Sequence, residues 1–219
     1  VRKFSVGRNG QGVSGIRFGL GAIKSCGDKA IDSIIAQRRK GGPYKDIFDF
    51  CQRMDSEQVN KRVVESLILS GAMDCTGARR TQLMAVYESA LDGAAKSRRS
   101  NVAGQMSLFG DGLLEEVKPA LPDIPEYNLR TMLSLEKNVT GLYISGHPLG
   151  DYSKALSALD MNTARLTELL ESPDHGLSFD GQRVRMGGML TEVRQKATKA
   201  GNLMGFATLE DLTGTIEAL

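Results

Sequence analysis

The sequence predicts an α+β fold, mostly helical, with a small antiparallel sheet towards its C-terminal end. Three observations predict it. Apolar residues recur at helical spacing from residue 19 to residue 91, and again from 126 to 170. After Asp180-Gly181 the pattern changes to short runs of alternating or apolar character, separated by turns that carry glycine. Between them, residues 93–125 keep neither period. A chain of 219 residues with 41% hydrophobic content can bury one or two modest cores, so two compact units are expected.

In chain order, residues 4–6 and 16–18 read as short strands joined by Arg8-Asn9-Gly10-Gln11-Gly12, whose chemistry favours positive φ. Ala30, Ile31, Ile34 and Ile35 form one helical stripe. Val59, Val63, Val64, Leu67 and Ile68 form a second, and Leu83, Met84, Tyr87, Ala90 and Leu91 a third. Gly41-Gly42-Pro43 stops one helix, and a short helical turn over residues 46–53 follows. Residues 93–125, rich in Gly, Ser, Pro and charge, read as an exposed linker with one apolar island at residues 106–109. Helical spacing resumes over 126–138 and at Leu149, Tyr152, Leu156 and Leu159. A last helix capped by Asn162 or Thr163 carries Leu166, Leu169 and Leu170. Strands are expected over 183–195, 203–210 and 215–219, with turns at 198–202 and 211–214. Val1 and a Leu219 in mid-strand both look like cut ends, so the chain is read as a piece of something longer.

Composition narrows the classes. No run approaches the roughly 20 apolar residues of a membrane span, and no signal pattern opens the chain, so a cytosolic protein is expected. Cys26, Cys51 and Cys75 are odd in number and far apart, fitting neither a metal knuckle nor a disulfide framework; they are expected as buried, reduced thiols. A net charge of +2 sets up no global field for nucleic acid. The basic residues do cluster locally, at Arg38, Arg39 and Lys40, at Lys61 and Arg62, at Arg79 and Arg80, and at Lys96, Arg98 and Arg99.

The most informative stretch runs from Leu20 to Ile31. A short helix, a tight turn through Ser25, Cys26 and Gly27, and a helix opening at Asp28 and Lys29 would point backbone N–H groups outward at one place. Such donors, at the positive end of a helix, suit a phosphate oxygen. The pattern resembles the first half of a helix-hairpin-helix DNA-binding module, with Ser25 where the family turn has its first glycine, a departure expected to weaken phosphate contact. A second copy follows: a helix over 60–70, the turn Gly71-Ala72-Met73-Asp74, and a helix over 78–91 with Arg79 and Arg80 in its first turn. Paired hairpins grip both strands by their backbones and read no base edge. A plain helical bundle whose glycines end helices fits the same pattern. Gly19-Leu20-Gly21 is no dinucleotide fingerprint, since Lys24 takes the third glycine's place.

Residues 16–24, Phe48-Asp49-Phe50-Cys51, residues 59–68, Ser70-Gly71-Ala72-Met73-Asp74 and residues 141–149 together resemble, in order and spacing, the alpha subunit of bacterial DNA polymerase III, a C-family replicative polymerase. The resemblance covers nearly the whole chain. It implies the tail of a fingers domain at 1–18, a tandem helix-hairpin-helix domain at 19–160 that binds DNA and a sliding clamp, and the truncated start of an OB fold at 161–219. It also implies a role in processive chromosomal DNA synthesis by a DNA-directed DNA polymerase whose catalytic aspartates, and the magnesium they hold, lie upstream. No catalytic residue, metal or cofactor is assigned here. Double-stranded DNA, a sliding clamp and other replicase subunits are the implied partners, and no membrane.

Gln105-Met106-Ser107-Leu108-Phe109 resembles the clamp-binding pentapeptide of bacterial polymerases, with Gln105 at the pocket edge, Met106 and Leu108 filling and Phe109 anchoring. Burying a Leu and a Phe is worth roughly 3 to 6 kcal/mol gross, which after ordering costs suits a micromolar to submicromolar contact. The same segment folding back on its own domain is the other reading. His147, before Pro148, reads as a helix entry and His175 as a loop residue. Asp46, Asp49 and Asp55 come nearest to a metal-binding cluster, but Asp46 and Asp49 read as caps and a solvated face. In the last strands Arg185, Arg194, Lys196 and Lys199, with Phe206 as the one ring for stacking, are candidates for single-strand binding. Two alternatives remain: a DNA-gripping module of a repair or ligase-type protein, and an error-prone relative of the same subunit.

Overall fold

The computed structural model describes residues 3–8, 14–55, 57–102, 119–172, 181–199 and 201–219. The chain forms two compact units, Val1–Ser145 and Gly146–Leu219. The division falls ahead of the expected 160/161 boundary.

The first unit opens with an antiparallel hairpin, β1 (Ser5–Arg8) and β2 (Ser14–Arg17), in which Ser5 faces Arg17. Phe4 and Phe18 meet edge to face beside it, their centroids 4.8 Å apart. A 3-10 turn at Leu20–Ala22 leads to α1 (Asp28–Gly41), α2 (Ile47–Arg53), α3 (Lys61–Leu69), a second 3-10 turn at Asp74–Thr76, α4 (Arg80–Val102) and α5 (Leu129–Thr140). The helices begin where the side chains can hold their first amides. Asp46 accepts from the Asp49 amide at 2.7 Å, Asn60 from Val63 at 3.2 Å and Asn128 from Thr131 at 2.8 Å. The three apolar stripes read from the sequence meet in one core, where Ile31, Phe50, Val59, Val64, Ile68 and Leu83 are almost fully enclosed.

Two arginines from neighbouring helices help to close helix ends. Arg53 donates to the carbonyls of Gln37 at 2.5 Å and Gly42 at 2.9 Å at the end of α1, and lies 4.3 Å over the Tyr44 ring. Arg98, expected in an exposed basic cluster, donates instead to the Met54 and Cys51 carbonyls at the end of α2. This corrects the linker boundary: α4 runs straight through Gly93 to Val102, with Ala94 5% exposed on its packed face. Burial there outweighs the roughly 1 kcal/mol that a glycine costs inside a helix. The thiols need a correction too. Cys26 and Cys51 are buried, and desolvation pushes them up to about 11 and about 12, but Cys75 is exposed.

The second unit holds a 3-10 turn at Gly150–Tyr152, α6 (Ser153–Ser157), α7 (Thr163–Glu171) and a three-stranded antiparallel meander, β3 (Met189–Ala197), β4 (Leu203–Glu210) and β5 (Thr215–Ala218). The first strand starts six residues later than the expected Arg183. At Gly187 and Gly188 the backbone passes so close to Leu156, Leu159 and the Glu210 carbonyl that a Cβ would lie within 2.7 Å of them. Asp211 ties α7 to the β4–β5 turn. Its carboxylate accepts from the Thr163 amide at 2.6 Å, the Thr163 hydroxyl at 2.7 Å and the Thr213 amide at 2.7 Å. Asn162, one of the two expected caps, accepts from the Arg165 amide at 2.8 Å.

Candidate nucleic-acid interface

At the first hairpin the chain turns through Lys24, Ser25 and Cys26 into α1. Ser25 adopts φ +66°, a left-handed conformation that suits glycine, so the departure noted in the sequence carries a backbone cost. Gly27, the N-cap of α1, has an ordinary extended backbone, and nothing in the described chain lies within 4 Å of where its Cβ would be. Two of the expected donors turn inward: the Cys26 amide reaches the Ile23 carbonyl at 3.2 Å and the Gly27 amide the Ser25 carbonyl at 3.2 Å. The first bond of α1 runs from the Ile31 amide to the Gly27 carbonyl at 3.1 Å, so the amides of Asp28, Lys29 and Ala30 stand ahead of the intrahelical ladder. Lys24, Ser25, Gly27, Asp28 and Lys29 are exposed around them. Contact with a phosphate at Asp28 would have to use its backbone, since the side chain is acidic.

The second hairpin is built differently. Gly71, at φ +80°, ends α3 with its own amide on the Ile68 carbonyl at 3.0 Å and the Ala72 amide on Leu67 at 3.0 Å, which is the Schellman arrangement. Both amides expected to face phosphate are therefore engaged within the cap. Arg80 is a larger correction. Its side chain is 3% exposed as a residue and faces inward, donating to Asp74 at 3.0 and 2.7 Å and to Glu136 at 2.8 Å. A Cβ on Gly71 would collide with that guanidinium, so the glycine is required by packing as well as by φ.

Glu136 is fully buried. Burial alone would push its carboxyl up, but the Ser145 hydroxyl, the Ser145 and Ile144 amides, each at 2.5 to 2.8 Å, and Arg80 hold it below the ordinary carboxylate range. One turn further along α5, the Val139 carbonyl accepts from the Lys24 amide of the first hairpin at 2.8 Å. One helix thus fixes both hairpin turns, Glu136 through Arg80 and Val139 through Lys24.

The start of α4 is already covered. The Glu126 carboxylate accepts from the Arg80 amide at 2.7 Å and the Thr81 amide at 3.4 Å, while Gln82 takes the Arg79 amide at 3.0 Å. Arg79 pairs with Asp123 at 2.9 Å and donates to the Ile124 carbonyl at 2.8 Å. Glu126 opens the segment expected as helix over 126–138, although α5 begins only at Leu129, and Asp123 and Ile124 come from the stretch read as linker. Its prolines at 119, 122 and 125 recur every third residue, the spacing of an extended polyproline-like segment, and that was the available signal.

In the second unit Arg194 pairs with Glu192 at 3.1 Å and Glu217 at 3.3 Å, opposite Phe206 in the β3–β4 register. The Lys196 ammonium stands 5.6 Å over the Phe206 ring. Arg185 pairs with Asp160 at 3.3 Å, and Lys199 is exposed in the turn. The structure thus brings Arg194, Lys196 and Phe206 together and leaves Arg185 and Lys199 apart. The clamp-type segment, Gln105, Met106, Ser107, Leu108 and Phe109, lies outside the described residues, as does His175. His147 accepts from the Leu149 amide at 3.1 Å, the part of a helix-entry residue.

The carboxylates do not suit a catalytic metal pair. Asp46 caps α2, Asp49 holds Arg53 at 3.1 Å and the Lys45 amide at 2.9 Å, and Asp55 accepts from the Glu57 amide at 3.0 Å. No group of three or more His, Cys, Asp or Glu that could hold a metal ion occurs among the described residues.

Residues 1–83, from the β-hairpin through the start of α4, match a family model described as a helix-hairpin-helix motif, and that defines the class of the first unit. The wider comparison is more particular. The chain is 36% identical over 219 residues to DNA polymerase III subunit alpha of Vibrio cholerae, covering 99% of this chain and 18% of that protein. It is 37% identical over 206 residues to the Mycobacterium leprae subunit and 33% over 207 to that of Escherichia coli K12, each covering 93% of the chain and 17% of the relative. The chain belongs to the DNA polymerase III alpha-subunit family, and spans under a fifth of the length of the curated relatives it matches.

Proposed function

We propose that this chain is the part of a replicative DNA polymerase III alpha subunit that holds the duplex by its backbone and docks on a sliding clamp, supporting processive synthesis. The observation that carries the duplex contact is the start of α1. There, amides ahead of the first helical bond lie among exposed Lys24, Ser25, Gly27 and Lys29. The helix-hairpin-helix match over residues 1–83 supports it, and so does kinship with polymerase subunits. A phosphate oxygen accepted there is held without reference to base identity.

In this reading the DNA-directed polymerase activity belongs to the whole protein. The divalent metal of nucleotidyl transfer has no fitting site among the carboxylates described above, so no step is assigned to it in this segment. Arg194, Lys196 and Phe206 form the single-strand surface, with Arg185 and Lys199 outside it. No helix among the described residues is long and apolar enough to cross a membrane, and we assign the protein to the cytoplasm with the other replicase subunits.

Clamp docking rests on the pentapeptide sequence. Changing Leu108 and Phe109 to Ala is expected to abolish binding to the cognate clamp in surface-plasmon measurements while leaving duplex affinity unaltered. Undiminished clamp binding by that variant would remove the peptide from the account.

A further inference from the structure

We propose that residues 119–126 form a strap that competes with DNA for the second hairpin, so that this hairpin is closed by the chain's own carboxylates until a duplex displaces them. The inference rests on the duplex-holding reading above and adds a regulation to it.

Both groups that hairpin could offer a phosphate are occupied by acids 44 to 46 residues away in sequence. Glu126 spans two successive first-turn amides of α4, those of Arg80 and Thr81, as two phosphate oxygens would. Asp123 takes the half-exposed guanidinium of Arg79. The strap therefore presents two negative charges to one helix start, one on the amides and one on the cation. A second observation comes from Thr81: the residue whose amide faces Glu126 also has a buried hydroxyl without a hydrogen-bond partner among the described residues. The closed arrangement leaves that donor unused.

The strap is also lightly held. None of its residues is fully buried, and Asp123 has 96% of its side-chain surface exposed. Among the described residues its attachments to the body are the Arg79 and Gln82 side chains, the two α4 amides and the packing of Leu121 on the core. A cavity of about 200 Å³ remains open beneath Pro119 and Leu121, beside Phe48, Ala78 and Leu83. A segment with few buried contacts and no backbone ladder to its neighbours opens at low free energy. Opening would free the α4 amides and Arg79 together, while Arg80, locked to Glu136, keeps the hairpin in shape.

The test is the salt dependence of duplex affinity in four forms of the chain: unaltered, Glu126→Gln, Asp123→Asn, and Glu57→Gln as a control that removes an exposed charge away from the strap. Glu126→Gln and Asp123→Asn are expected to bind more tightly. Each should also gain about one phosphate contact, steepening the log–log slope by about 0.9, so that affinity falls about threefold more for a fourfold rise in salt. Glu57→Gln should leave the slope as it was. Should Glu126→Gln fold poorly, Asp123→Asn decides, because its side chain is exposed. Duplex binding by all four forms with equal slopes would overturn the strap and leave the duplex reading standing. Absence of duplex binding in every form would overturn that reading itself.

Discussion

Replacing Glu136 by Gln tests whether Arg80 is a structural residue. The change keeps the side chain's size and removes its charge, which leaves a buried guanidinium with Asp74 alone as an ionic partner among the described residues, and Asp74 has 51% of its side-chain surface exposed. It also turns an amide donor towards the Ile144 and Ser145 amides, which now donate to the carboxylate at 2.8 Å. Breaking a buried pair costs about 3 to 5 kcal/mol, and the surviving Asp74 contact places this case near 3. For a chain of this size that lowers Tm by about 6 to 12 °C. Urea unfolding should show a lower midpoint at an unchanged m-value. The double change Arg80→Met with Glu136→Leu removes both charges and should recover most of the loss, without altering duplex affinity. A single variant within about 0.5 kcal/mol of the unaltered chain would refute the burial argument. A double variant less stable than the single one would refute the claim that charge, not shape, is what Glu136 supplies.

Two further outcomes follow from the local geometry. Ser25→Gly relieves a left-handed serine, and should raise stability by about 1 kcal/mol in urea titration; a loss of stability would mean the serine side chain matters more than its φ. Asp211 is pushed up by burial but pulled further down, to about 2, by its bonds to Thr163 and Thr213. A carboxylate lowered in the folded state contributes stability above its ordinary 3.8 and loses it as pH falls from there towards 2, here about 2 kcal/mol. Acid titrations of the chain and of Asp211→Asn should stay a constant distance apart above pH 3.8 and converge as pH falls towards 2; curves that stay parallel throughout would contradict this.

The helices were legible because their signals are local. Asp46 and Asn162 cap where such residues should, and Val59, Val63, Val64, Leu67 and Ile68 repeat at the helical period and are all buried. What stayed illegible depends on partners distant in sequence. Nothing near Arg80 marks it as inward-facing, since Glu136 is 56 residues away and Ser145 is 65. Gly93 reads as a helix breaker until Ala94 and Arg98 are seen packed against the core and capping α2. Of the candidate interface, the first hairpin could be read from the spacing around Gly27. The second could be placed but not understood, because its amides are engaged by a cap within the hairpin and by the Glu126 carboxylate, 46 residues further along the chain.

The most direct measurement is the affinity of this chain for two duplexes of equal length and unrelated sequence, followed across a range of salt. Equal affinities that fall together, linearly in the logarithm of salt, are what backbone contact at these helix starts predicts. A marked preference for one duplex, or affinity indifferent to salt, would contradict it.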